Sequence, residues 1–150
     1  MKKIEPMTLI FLVLVPFYTG SVEKEKILEV LVDGTIPNKG QVILSIFDSH
    51  ENYLKSPLKR FVQKVADSHV VLFDINDLRE GSYSVSAVYD EDGNGLLNTG
   101  FLGMPSEKIG FSNNAKSHFG PPSFEETLFE FHSSMKITIY LDKANSGQEK

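Results

Sequence analysis

A chain of 150 residues with a formal net charge of −5 has room for one domain around one core. The acidic balance, without a basic cluster, excludes a nucleic-acid binder, and no Lys/Arg-rich amphipathic stretch suggests a membrane-surface protein. Cysteine is absent, which also excludes disulfides, lipid-modified cysteine and thiol chemistry.

The chain opens on Lys2 and Lys3. An apolar run over residues 7–17 follows, broken only by Thr8 and Pro16, and then the small residues Thr19, Gly20 and Ser21. This pattern predicts a secretory signal peptide over residues 1–21, cleaved after Ser21. The run falls short of the ~20 residues a transmembrane helix needs, which leaves an uncleaved membrane anchor as the weaker alternative. An exported protein is expected, periplasmic or extracellular, with no membrane insertion after cleavage. Losing Lys2, Lys3 and Glu5 takes its charge to −6. Without disulfides such a domain must rely on its core, with a metal as the available staple.

Strand patterns dominate residues 22–144. Residues 27–32 are apolar and β-branched around Glu29. Residues 41–46 are apolar at most positions, which predicts burial on much of both faces. Residues 70–75 form a short apolar run. Tyr83, Val85, Ala87 and Tyr89 alternate with Ser82, Ser84 and Ser86, and Met135, Ile137, Ile139 and Leu141 alternate with Lys136, Thr138 and Tyr140. Period-2 alternation predicts one packed face and one wet face. Residues 58–65 and 128–132 are further candidates. Turn residues separate them at Asp33-Gly34, Asn38-Lys39-Gly40 and Glu80-Gly81.

About seven short strands without a long helical period predict an all-β fold, a single-domain antiparallel β-sandwich. Helix is limited to one or two turns. One could start at Ser49 and run through Tyr53 and Leu54. The other starts at Ser123, where Glu126 three residues on completes a capping box. Residues 145–150 read as a frayed tail. From residue 91 to about 128 no strand stands out. The segment carries six of the eleven glycines and Phe101, Phe111, Phe119 and Phe124. A loop of that length is usually functional, and its rings need a packing surface, so it is expected to fold back as an ordered cover.

The start of that loop carries the chemistry. Asp90, Asp92 and Asn94 fill the first, third and fifth positions of a Ca²⁺-loop pattern. Gly95 supplies the sharp turn, Leu96 a backbone carbonyl and Asn98 a further side-chain oxygen. Alternate residues of a tight loop point inward, which suits a cation that takes six to eight oxygens. The twelfth position is Phe101, not glutamate. Glu91, Glu107, Glu125 and Glu126 are the acids that could replace the missing ligand. Asp-Gly and Asn-Gly are also ordinary turn dipeptides, so a plain turn is the alternative.

A second candidate is the aromatic and amide loop with Phe111, Asn113, Asn114, Phe119 and Phe124. It could bind a small ligand or carbohydrate. Alternatively its amides satisfy loop backbone while its rings fill the core's edge. Enzyme signatures are largely absent: His50, His69, His118 and His132 are scattered, no nucleophile elbow occurs, and Glu125-Glu126 suits a helix start better than an acid pair, which leaves a hydrolase using Asp90 or Glu125 and Glu126 as the weakest alternative. A non-catalytic module of the cell envelope is therefore expected, with an envelope protein or a small ligand as partner.

Several motifs occur together: Gly81-x-Tyr83-x-Val85, Asp90-x-x-Gly93-Asn94-Gly95, Phe101-Leu102-Gly103-x-Pro105, Gly110-Phe111-Ser112-Asn113-Asn114-Ala115 and Phe119-Gly120-Pro121-Pro122-Ser123-Phe124. With them the chain resembles, over residues 25–143, a bacterial family of exported proteins known only as a domain of unknown function. The resemblance implies an exported bacterial β-domain and carries no catalytic residues. The Gly-x-Tyr-x-Val step into an Asp-containing loop is also similar to transthyretin-like and collagen-adhesin-type sandwich modules, at the level of fold alone.

Overall fold

The computed structural model describes residues 25–100, 105–116 and 120–143. The expected leader, the expected tail and the rings of Phe101 and Phe119 lie outside these residues. Among the described residues nine strands form: β1 (Leu28–Asp33), β2 (Gln41–Phe47), β3 (Lys59–Lys64), β4 (Val70–Ile75), β5 (Gly81–Asp90), β6 (Lys108–Phe111), β7 (Phe129–Phe131), β8 (Met135–Tyr140) and β9 (Asp142–Lys143). One sheet has the order β4-β1-β8. The other runs β3-β2-β5-β6-β9, with β7 also paired to β5. Among the described residues no helix is long and apolar enough to cross a membrane.

The all-β sandwich expected from period-2 patterning is the fold observed. Its core is what the alternating positions turn inward. Leu28, Val30 and Val32 of β1 meet Val42, Leu44 and Ile46 of β2 and Val85, Ala87 and Tyr89 of β5. Burying an aliphatic side chain of this size contributes roughly 1.5–3 kcal/mol, which makes this layer the main source of stability. β2 is buried on both faces as expected, because Ile43 and Phe47 of its outer face are covered too.

Four details depart from the sequence reading. One ladder is parallel, β1 with β8, while the other ladders are antiparallel. The stretch read as strandless contains β6, which pairs with β5 and β9. Gly110 of β6 is needed for close approach: a Cβ there would lie 2.5 Å from Ile139 Cγ2 and 2.8 Å from the Tyr140 carbonyl oxygen. Ser49 caps no helix. Residues 49–56 form turns in which Lys55 and Ser56 N–H donate to the Asn52 carbonyl, and the Ser49 hydroxyl is buried without a hydrogen-bond partner.

The fourth departure concerns the serine face of β5. Ser84 and Ser86 are buried, not wet. The helical turn α1 (Phe124–Thr127) and the 3-10 turn Ser112–Asn114 make up part of this covering layer. The Ser84 and Thr127 hydroxyls lie 2.7 Å apart. Ser112 Oγ accepts from Val85 N at 3.0 Å and donates to the Thr127 carbonyl at 2.5 Å. The capping box on α1 forms as read, with Glu126 Oε2 accepting from Ser123 N and Ser123 Oγ accepting from Glu126 N.

Candidate metal centre at the end of β5

Asp90 is the last residue of β5, and register places it beside two other strands. It is the ladder partner of Gln41 in β2. Because Tyr89 pairs with Lys108, the next position along brings Glu107 opposite Asp90. The loop that leaves β5 turns sharply at Gly93 (φ 74°) and Gly95 (φ 80°), left-handed conformations that glycine adopts without a steric cost.

The Asp90 carboxylate, fully buried, organises this turn. Oδ1 accepts from Gly93 N at 2.8 Å and Asn94 N at 3.1 Å. Oδ2 accepts from Gly95 N at 2.7 Å and Gln41 Nε2 at 2.7 Å. Burial pushes its pKa up, but these hydrogen bonds to the charged form outweigh burial and hold the carboxyl below the ordinary aspartate value.

Asp92 and Glu107 face the same point. Ligand oxygens of Asp90, Asp92 and Glu107 all lie within 4.8 Å of one another. Glu107 is buried at 8 % exposure; it accepts from Glu91 N at 3.2 Å, from Asn98 N at 3.0 Å and from Asn98 Nδ2 at 3.5 Å. Asp92 Oδ2 accepts from Asn94 Nδ2 at 3.0 Å and Asn98 Nδ2 at 2.8 Å, and Asn98 Oδ1 accepts from Asn94 Nδ2 at 2.8 Å. Two amide groups thus stand among three carboxylates. Among the described residues no basic side chain forms an ion pair with any of the three.

Of the residues expected here, Asp90, Asp92, Asn94 and Asn98 come together. Leu96 is exposed, and its N–H donates to Asn94 Oδ1 at 2.7 Å. Of the four glutamates considered for the vacant twelfth position, only Glu107 reaches the cluster. Glu91 pairs with Lys39, which lowers its pKa through that hydrogen bond, and Glu125 and Glu126 lie exposed on α1. Gln41 could not have been found from local sequence, since only the β2–β5 register brings it in.

The second candidate loop is arranged differently. Asn113 and Asn114 take left-handed backbone conformations (φ 58° and 51°), which asparagine tolerates better than most residues. Asn113 Nδ2 donates to the Glu126 and Leu128 carbonyls at 3.2 and 2.8 Å, and Asn114 Oδ1 accepts from Tyr140 N at 3.2 Å. Phe111 is buried. Phe124 packs edge-on against Tyr53, with ring centroids 5.6 Å apart. Among the described residues the histidines do not gather: His50 lies edge-on to Phe124, His69 near Asp33, and His132 between Glu80 and Glu130, while His118 lies outside the described residues.

Fold and site together define a two-sheet β-sandwich domain with an acidic, amide-lined loop at the end of its long central strand. A family model described as "Uncharacterized protein conserved in bacteria (DUF2141)" matches residues 30–138, and the chain belongs to this family. No curated protein and no solved structure matches it.

Proposed function

We propose that this is an exported, non-catalytic binding or structural module of the bacterial envelope, stapled by Ca²⁺ at the loop that follows β5. The basic start and apolar run over residues 1–21 support export. The observation that carries the metal is the convergence of Asp90, Asp92 and Glu107 within 4.8 Å, with no ion pair to any of the three among the described residues. Two unit charges at that separation repel by roughly 3 kcal/mol at an effective dielectric of ~20, so the trio gains from a divalent ion. Oxygen-only donors suit a hard cation such as Ca²⁺.

Asp92 and Glu107 supply charged oxygens. Asn94 and Asn98, with their amides turned over, present Oδ1 where Nδ2 now stands. Asp90 keeps its role in the turn and offers Oδ2 once Gln41 withdraws. The module gains stability because the ion binds the folded loop alone.

The test is thermal unfolding of residues 22–150 in EDTA and in about 1–5 mM Ca²⁺, the range that covers weak extracellular sites. For a Kd of ~10⁻⁴–10⁻³ M the gain at 5 mM Ca²⁺ is about 1–2.3 kcal/mol, a few degrees in Tm. Asp92→Ala and Glu107→Gln should each abolish the shift. An unchanged Tm in the unsubstituted protein would reduce the loop to a turn.

A further inference from the structure

Asn94 is the one asparagine of the chain that precedes a glycine. That dipeptide carries an intrinsic reaction, since glycine has no side chain to hinder attack by its own backbone nitrogen. A bond forms between Gly95 N and Asn94 Cγ, the Cγ–Nδ2 bond breaks, and the amide nitrogen leaves as ammonia with the proton from Gly95 N. Water then opens the cyclic imide at either carbonyl and leaves an aspartyl or isoaspartyl carboxylate.

In the folded loop every group this reaction needs is held elsewhere. Gly95 N–H donates to Asp90 Oδ2 at 2.7 Å. Taking its proton would set an anionic nitrogen against a carboxylate, which Coulomb repulsion disfavours. Asn94 Oδ1 accepts from Leu96 N at 2.7 Å, and Nδ2 donates to Asp92 Oδ2 and Asn98 Oδ1 at 3.0 and 2.8 Å. The side chain is tied at both of its polar atoms, so it cannot swing onto its neighbour's nitrogen.

We infer that Asn94 is a spontaneous modification site held shut by the Asp90 cage, and that each opening of the loop exposes it to conversion into a carboxylate. The change runs one way. The product has no Nδ2 to donate to Asp92 and Asn98, and it places a further negative charge against Asp92. A loop that has reacted does not close as before. The chemistry needs water alone and does not depend on the loop binding a cation.

The experiment incubates residues 22–150 in EDTA at mildly alkaline pH, folded and in urea, and follows conversion at Asn94 by peptide mapping and ammonia release. The folded protein should convert at least about tenfold more slowly than the unfolded chain, because only the locally open fraction reacts. Asp90→Asn and Asn98→Ala should both speed conversion in the folded state, with circular dichroism confirming that they fold. Asn98→Ala removes only one anchor of the amide, so it serves even if Asp90→Asn unfolds. Equal rates in folded and unfolded protein would overturn the lock, and an unfolded chain that does not convert would overturn the site. The variant Asn94→Asp should melt below the unsubstituted protein in EDTA; an unchanged Tm would overturn the one-way consequence.

Discussion

Two loops of this molecule use the same residue types to opposite ends. In the loop after β5, the amides of Asn94 and Asn98 donate to carboxylate oxygens, and Asn94 also donates to Asn98 Oδ1. In the cover, Asn113 donates to two backbone carbonyls and Asn114 accepts from the backbone of β8. A carboxylate accepts a cation as readily as an amide, so on the proposed Ca²⁺ reading the first arrangement is exchangeable. A backbone carbonyl left without its donor has no such replacement, so the second arrangement is structural. Asparagine content says little about a loop until the partner of each amide is known.

The sharpest way to test this contrast is beneath the cover. Ser112→Ala removes the acceptor of Val85 N and the donor to the Thr127 carbonyl, both buried. The expected loss is about 1–3 kcal/mol, because a buried amide is left unpaired. Urea unfolding measures it, and the loss should be the same in EDTA and in Ca²⁺. A loss that Ca²⁺ repairs would mean that the two loops are coupled.

A smaller effect separates the asparagines themselves. Asn113→Ala gives up two hydrogen bonds and puts alanine at φ 58°, for a loss of about 1–2 kcal/mol in either condition. Asn98 is half-buried, but its partners Asp92 and Asn94 are exposed and can turn to water instead, so Asn98→Ala in EDTA should cost within about 0.5 kcal/mol. Its effect should instead appear in Ca²⁺, as a smaller rise in Tm. If Asn98→Ala costs as much as Asn113→Ala without metal, the distinction between exchangeable and structural amides fails.

Much of the fold was legible because buried strands write period 2 into the chain. Residues 70–75 form β4 at the bounds read from their apolar run, and the capping box at Ser123 and Glu126 forms as patterned. What escaped was set by neighbours rather than by local pattern. β6 is four residues long with a glycine chosen to clear Ile139 and Tyr140, so it carries little strand character of its own. The serines of β5 looked wet because serine usually is, and only the layer formed by Ser112 and Thr127 turns them into a buried hydroxyl network. The Asp90 loop was visible in its spacing. That Glu107 is the acid that joins it follows from the β5–β6 register, which spacing does not contain.

Acid should part the two loops with the least perturbation of all. Asp90 has its folded pKa held below the ordinary aspartate value, so its charged form is favoured by folding. Such a group contributes stability that is fully present above the unfolded value of ~3.9 and is lost as pH falls through the lower folded value. The Ser84, Ser112 and Thr127 hydroxyls do not titrate in this range, so the network under the cover has no reason to respond. Amide resonances report each side separately: Gly93 and Gly95 donate to Asp90, while Val85 donates to Ser112. In EDTA, the Gly93 and Gly95 amide shifts should move together below pH ~3.9 while Val85 stays still. Joint movement of all three would mean that protonating Asp90 loosens the sheet as a whole, and the loop would then be part of the core's cooperative unit rather than an exchangeable appendage to it.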